Sequence, residues 1–239
     1  MELSKKIADW VKKQVEESNK KGIVVGLSGG VDSAVVAVIS KMALGDNAMG
    51  LILPCKSNPE DLRLAKEVAG KFNIKTKEVP LDKIYDEFAK LNTKAKGIAQ
   101  ANIKPRFRMV ALYYFANTLD YLVAGTGNKS EISVGYFTKY GDGGVDMLPL
   151  GGLLKTEVRK LAKELGIPDE IISRAPSAGL WKGQTDEGEM GISYDELDKT
   201  IKAIEDNKTE SINKATLLKV KRMTEISEHK RRAIPVFNK

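Results

Sequence analysis

The stretch that decides the fold is Ile23-Val24-Val25-Gly26-Leu27-Ser28-Gly29-Gly30-Val31-Asp32-Ser33, continued by Ala34-Val35-Val36-Ala37-Val38-Ile39-Ser40. Its β-branched opening reads as a buried strand and the apolar run after it as a helix. Ser28, Gly29 and Gly30 are small enough for a tight turn whose backbone N–H groups can approach a ligand closely. Asp32 and Ser33 fall in the first helical turn, where unpaired amides and the positive end of the dipole favour anions. The common phosphate loop G-x-x-x-x-G-K-[ST] sets a Lys on the β- and γ-phosphates. This turn has no such Lys and carries an acid instead. A carboxylate beside polyphosphate needs a bridging cation, so Asp32 implies Mg²⁺. The competing reading is a plain strand–turn–helix corner in which Asp32 only complements the helix dipole.

Composition narrows the chemistry. The 239 residues suffice for a substantial core. A net charge of +7, from 39 Lys+Arg against 32 Asp+Glu, suits anionic partners without choosing between nucleotides and nucleic acid. A single Cys, Cys55, rules out an intrachain disulfide and fits a reducing compartment. With one His, His229, no zinc site made only of His and Cys can be built within the chain. Met1 to Asn19 shows no signal-peptide pattern; it places Leu3, Ile7, Trp10, Val11 and Val15 on one stripe of an amphipathic helix. Gly29, Gly30 and Asp32 interrupt the apolar segment from Ile23 to Ile39, which excludes a membrane span there. A cytoplasmic protein is expected, with no membrane partner.

Further along, Ala48 to Pro54 reads as a second buried strand and Asn58 to Lys71 as a helix with Pro59 at its first position. Ile74 to Val79 alternates as a third, partly exposed strand, and Leu81 to Ala89 reads as helical. Asn92 to Thr118 reads as two helical pieces broken near Pro105. The second is apolar nearly all round through Phe107, Met109, Val110, Leu112, Tyr113, Tyr114 and Phe115. Such a helix belongs either at a subunit interface or at the centre of the core. Asp120 to Ala124 is the next strand. Strands separated by helices predict an α/β, doubly wound, mostly parallel sheet with helices on both faces, a Rossmann-like arrangement that binds ligands at the carboxyl ends of its strands. Gly135 to Asp146, Gly-rich and irregular, reads as a lid, and Ser173 to Glu189 as a second long loop. A helix from Glu157 to Leu165, two more from about Tyr194 and about Ser211, and a basic tail from Ser227 to Pro235 complete the chain.

Several blocks in sequence order resemble the ammonia-dependent NAD⁺ synthetase family of the ATP pyrophosphatase superfamily. They are Ser28 to Ser33, Lys104-Pro-Arg106, Gly125-Thr126 with Glu131, Phe137-Thr-Lys139-Tyr-Gly-Asp-Gly-Gly, Pro149-Leu with Lys155, Ala175-Pro-Ser-Ala, Gly191-Ile-Ser-Tyr-Asp195 and Glu228-His-Lys230-Arg. The resemblance implies a single ATP-pyrophosphatase-type synthetase domain over residues 1–239. It also implies a ligase in which the nicotinate carboxylate of deamido-NAD⁺ attacks the α-phosphorus of ATP, and ammonia then displaces AMP to give NAD⁺. Three positions depart from the usual pattern: Gly127-Asn128 stands where many members have Asp-His, and Ser177 replaces a frequent Thr but keeps the hydroxyl. The glutamine-using members carry a further amidase domain, for which this sequence leaves no room.

By this resemblance Asp32 and Glu131 hold Mg²⁺, and Gly26, Leu27, Ser28, Gly29, Gly30, Val31, Asp32 and Ser33 cradle pyrophosphate. Thr126, Lys155 and Ser177 complete the ATP contacts. Arg106, Lys139, Asp146, His229 and Lys230 contact deamido-NAD⁺, several of them from the second subunit of a homodimer with shared sites. Asp32, Lys155 and Asp146 are the expected catalytic residues, Asp146 (or Asp142) as acceptor of a proton from ammonium. Plain alternatives stand beside these roles. Asn128-x-x-Glu131 has capping-box spacing, and a Lys/Arg cluster such as Lys230-Arg231-Arg232 is commonly solvated surface. A Lys at a helix start, as at Lys155, opposes the dipole, so a phosphate partner accounts for it better than solvent does. The rival functional reading is a tRNA-modifying or other ligase with the same loop. The sulfur-transferring branch needs at least two cysteines, and nucleic acid is not an expected partner.

Overall fold

The computed structural model describes residues 2–181 and 183–237; Met1 of the first expected helix, Lys182 of the second long loop and residues 238 and 239 lie outside the described residues. Helix α1 (Glu2–Glu17) precedes β1 (Gly22–Gly26), α2 (Val31–Leu44), β2 (Ala48–Ile52), α3 (Pro59–Lys71) and β3 (Lys75–Glu78). Helices α4 (Asp82–Ala89), α5 (Ile98–Ala101) and α6 (Ile103–Leu119) lead to β4 (Tyr121–Ala124). The remainder holds α7 (Lys129–Val134), α8 (Lys155–Glu164), α9 (Asp169–Ser173), α10 (Asp186–Met190), α11 (Tyr194–Glu205), α12 (Lys214–Ile226) and α13 (Glu228–Arg231).

The four strands among the described residues run parallel in the order β3-β2-β1-β4, with Val24 opposite Met49 on one side and Val123 on the other. Alternation along β1 splits the core between the two faces of the sheet. Ile23 and Val25 pack with Val11 of α1, Val35 and Ile39 of α2, Leu64 of α3 and Leu161 of α8. Val24 packs with Leu51, Val123 and Ala116 on the opposite face, against half-buried Phe107, Leu112 and Phe115 of α6. The doubly wound sheet expected from the sequence is the one observed. Strand order reverses at β1, which opens a crevice at the carboxyl ends of β1 and β4.

Local chemistry explains the element ends. Asn58 caps α3 by accepting the Glu60 N–H at 3.0 Å, ahead of Pro59. Asp120 ends α6 in the left-handed region, φ 61°, held by Lys20 at 2.8 Å. Some expectations are displaced. The break between α5 and α6 falls at Asn102; Pro105 sits inside the first turn of α6, where no N–H is needed. The residues after Asn92 stay non-helical until Ile98. α10 begins at Asp186, inside the stretch expected as loop, because Thr185 caps it by accepting the Gly188 N–H at 3.2 Å. The basic tail opens with α13. On α1, Leu3 and Trp10 are exposed, and Ser4 and Ala8 complete the buried stripe instead.

Candidate functional site

The turn after β1 is shaped for close approach. Gly29 has φ +81°, and a Cβ there would lie 2.4 Å from the Asp61 carbonyl oxygen, so glycine is required on two counts. Ser33 Oγ donates to Gly30 O at 2.9 Å and accepts the Ser28 N–H at 3.2 Å, closing the turn on itself. Ser28 Oγ accepts the Gly30 N–H at 3.2 Å. No side chain caps the N-terminus of α2. Gly26 to Ser33 thus present backbone amides and a helix N-terminus at the mouth of the crevice.

Asp32, on the first turn of α2, faces Lys155, the first residue of α8, and Glu131, on the first turn of α7. The Lys155 ammonium is ion-paired with Asp32 Oδ2 and lies 3.0 Å from Glu131 Oε1. Its side chain is 2 % exposed, and those of both acids 16 %. Burial opposes the Lys155 charge, but the two carboxylates outweigh it and hold the ammonium above its ordinary pKa. Burial pushes the Glu131 carboxyl up to about 7 against the pull of Lys155. Three separate helix starts therefore converge on one charge cluster.

The capping-box reading of Glu131 and its charged role coexist. Glu131 Oε2 accepts the Asn128 N–H at 3.4 Å while Asn128 Oδ1 accepts the Glu131 N–H at 3.1 Å, and Oε1 is left for Lys155 and for the Tyr194 hydroxyl at 3.2 Å. The partner of Lys155 is a carboxylate pair, whereas the helix-dipole argument pointed to phosphate. Ser130 and Asp198 fix the start of α8. The Ser130 hydroxyl donates to Asp198 and accepts the Lys155 N–H at 2.9 Å, and Asp198 Oδ2 accepts the Thr156 N–H at 2.9 Å.

Asp186 adds a third carboxylate, accepting the Tyr194 hydroxyl at 3.0 Å and held above its ordinary pKa by burial. Asp32, Glu131 and Asp186 together exceed the charge of Lys155 by two when all are ionised, and the first two already aim at one cation. Among the described residues no group of three or more His, Cys, Asp or Glu forms a metal cage. Asp32 and Glu131 suit Mg²⁺, a hard ion commonly held by one or two carboxylates together with substrate phosphates and water.

A second cluster lies at the α6–α13 end. Arg106 Nη2 donates to Lys139 O at 3.3 Å, and Lys139 Nζ to His229 O at 2.6 Å. Lys230 Nζ donates to Gly135 O and Phe137 O at 2.7 and 2.8 Å. The same bonds tie down the segment expected as a lid, as does the Thr138 N–H donated to Asp142 Oδ1 at 2.9 Å. Of the five expected deamido-NAD⁺ residues, Arg106, Lys139, His229 and Lys230 are thus brought together. Asp146 stands apart: it accepts the Val123 N–H at 2.7 Å and the Tyr113 hydroxyl at 2.9 Å on the outer edge of β4. Thr126 lies half-buried in the loop after β4, and exposed Ser177 accepts the Gly179 N–H at 3.1 Å.

A model described as NAD synthase matches residues 3–234. The chain belongs to the NAD synthase family. The NH(3)-dependent NAD(+) synthetase of Carboxydothermus hydrogenoformans is 49 % identical to it over 237 residues, 97 % of this chain and 95 % of that one. Among solved structures, NMN synthetase from Francisella tularensis superposes with a TM-score of 0.91 at 36 % identity, covering 99 % of this chain and 98 % of that one. NH3-dependent NAD synthetase from Campylobacter jejuni, in complex with the nitrate ion, gives a TM-score of 0.87 at 30 % identity with the same coverage. Membership sets aside the tRNA-modifying alternative. Within the family frame, Asn128, Asp186, Tyr194 and Asp198 are the site-side residues that the motifs did not single out. Asn128 read as a cap, and Tyr194 only as part of a sequence block. No helix among the described residues is long and apolar enough to cross a membrane.

Proposed function

We propose that the chain, as one synthetase domain in the cytoplasm, makes NAD⁺ from deamido-NAD⁺, ATP and ammonia, releasing AMP and pyrophosphate. The observation that carries this reading is the convergence of Asp32 and Glu131 on the Lys155 ammonium beside a lysine-free, glycine-built turn. In this reading the amides of Gly26 to Ser33 cradle the β- and γ-phosphates, and Thr126 and Ser177 orient the nucleotide. Asp32 and Glu131 would hold Mg²⁺, which when bound neutralises charge gathering on the departing pyrophosphate. Lys155, released from the two acids, turns its ammonium to the same phosphates. An oxygen of the nicotinate carboxylate bonds to the α-phosphorus as the bond to pyrophosphate breaks. Ammonia then attacks the acyl carbon, AMP leaves, and a proton passes from nitrogen to water, because Asp146, the expected acceptor, is engaged by the Val123 N–H and the Tyr113 hydroxyl at the edge of β4. Positioning and charge stabilisation do most of the work.

Arg106, Lys139, His229 and Lys230 form the deamido-NAD⁺ contact surface, completed across a homodimer. The outer face of α6 supports that assembly: Val110 and Tyr114 are 59 % and 69 % exposed, beside exposed Ile84 and Phe88 of α4, with Phe88 stacked edge-on to Phe107 at 5.3 Å. The Francisella neighbour makes the mononucleotide a second candidate substrate. The test supplies Mg-ATP and ¹⁵N-ammonium with either deamido-NAD⁺ or nicotinate mononucleotide. The expected result is ¹⁵N-labelled NAD⁺ with equal AMP and pyrophosphate, and higher kcat/KM for the dinucleotide. ADP and phosphate as products would overturn the reading, and preference for the mononucleotide would transfer it to that substrate.

A further inference from the structure

Tyr194 is fully buried at the start of α11, and its single hydroxyl proton has two carboxylate acceptors: Asp186 Oδ2 at 3.0 Å and Glu131 Oε1 at 3.2 Å. A phenol donates to one acceptor at a time, so whatever occupies Glu131 decides how firmly Tyr194 holds Asp186. Asp186 in turn grips the long loop on both sides of Ser177. Its Oδ1 accepts the Ala178 N–H at 3.0 Å, and its own N–H donates to Pro176 O at 2.9 Å. The Tyr136 hydroxyl has the same kind of choice, with Glu189 Oε2 at 2.7 Å and Asp186 Oδ1 at 3.1 Å. These bonds run without a gap from an acid of the charge cluster to the backbone flanking an expected nucleotide contact.

We propose that Tyr194 and Asp186 are positioning residues that couple cation binding at Glu131 to the placement of Ser177 on the nucleotide. The proposal rests on the reading that Glu131 takes a divalent cation and Ser177 touches ATP. A divalent cation draws charge from Glu131 Oε1 and weakens it as an acceptor, so the Tyr194 hydroxyl shifts towards Asp186 and the backbone at residues 176–178 is held more firmly. The nucleotide loop thereby tightens when the metal is present.

Trp181 lies in this loop and is 46 % exposed, which gives a signal independent of turnover. The chain has two Trp, so the experiment uses a Trp10→Phe background, which leaves Trp181 as the single indole reporter. Trp181 emission is followed with α,β-methylene-ATP as Mg²⁺ is titrated. The parent is expected to show a Mg²⁺-dependent change. Tyr194→Phe, which keeps the ring and removes the hydroxyl, should need about tenfold more Mg²⁺ for half the change, in line with losses of outer-shell partners of metal ligands. Asp186→Asn should do the same, and the double variant should be no worse than either single one. In turnover the defect should appear in KM for Mg-ATP, with KM for deamido-NAD⁺ unchanged. A Tyr194→Phe midpoint equal to the parent's, or effects of the two substitutions that multiply, overturns the coupling. A parent that binds the analogue with no Mg²⁺ response overturns the coupling and the cation reading together. Should Tyr194→Phe fail to fold, Asp186→Asn alone decides between these outcomes.

Discussion

Asn128 donates its side-chain amide to Asp32 Oδ1 at 2.9 Å, and the oxygen of the same amide accepts the Glu131 N–H at 3.1 Å. One buried residue therefore sets the orientation of one acid and caps the helix that presents the other. Asn128→Ala is expected to cost ~1 kcal/mol through the lost cap. It should also raise the Mg²⁺ requirement for AMP release by about tenfold or more. Denaturant midpoints and Mg²⁺ titrations of turnover measure the two effects separately; an unchanged Mg²⁺ requirement would mean that Asp32 does not depend on Asn128.

Lys155 neutralises two acids that have little water around them. Lys155→Met should therefore destabilise the ligand-free protein by about 3–5 kcal/mol, the usual cost of stranding a buried charge. Added MgCl₂ should recover part of the loss in Tm, because a divalent ion can take the place of the ammonium. Turnover should stay low, with kcat down on the order of a hundredfold if the ammonium steadies phosphate charge. A Tm that ignores MgCl₂ would count against Asp32 and Glu131 as cation ligands.

Gly29→Ala tests the phosphate turn. It combines a left-handed backbone with a Cβ pressed onto the Asp61 carbonyl, so a stability loss of about 1–3 kcal/mol is expected. Nucleotide affinity should fall further than stability does. Isothermal titration with α,β-methylene-ATP, below the melting range of the variant, separates the two; normal affinity would place the phosphates elsewhere.

Lys104 is buried and donates to Leu180 O at 2.7 Å, with burial depressing its pKa below the ordinary 10.5. The unfolded chain holds this proton up to about that ordinary value and the native protein releases it earlier. In the window between, the unfolded state binds more protons, so the Lys104 contribution to stability rises with pH. Subtracting the Tm–pH curve of Lys104→Met from that of the parent should leave a difference that grows from neutral pH towards 10.5. A flat difference would show that burial does not penalise this charge.

The exposed α6 face predicts that Val110→Asp with Tyr114→Asp yields monomers by light scattering, with loss of turnover. Mixed Arg106→Ala and Asp32→Ala subunits should regain some activity if each site draws on both chains. No recovery after verified subunit exchange would confine each site to one chain.

The strand–turn–helix unit around Ser28 to Ser33 is legible in the sequence because β-branched residues, small turn residues and an apolar helix follow within one short stretch. The order of the sheet is legible for a similar reason, since each strand is separated from the next by a helix. What could not be read is contact across the chain. Lys155 and Asp32 are 123 residues apart, and no periodicity foretells their pairing. Tyr194 looks like core by composition, and core it is, except for one oxygen between two carboxylates. Pro105 misleads because proline breaks a helix in its interior but fits its first turn, and the pattern alone does not say which applies. Asp146 follows the motif yet faces the edge of β4, where a backbone N–H needs an acceptor.

That edge has a wider consequence. At one side of the sheet, the Asp146 carboxylate and the Met147 carbonyl occupy the outward amides of Val123 and Gly125. At the other, β3 is Lys-Thr-Lys-Glu and exposed along its whole length, with Lys75 and Lys77 repelling any incoming copy. Neither flank offers a template on which a neighbouring molecule could extend the ladder. The sheet is thereby closed to edge-on stacking of one molecule on another.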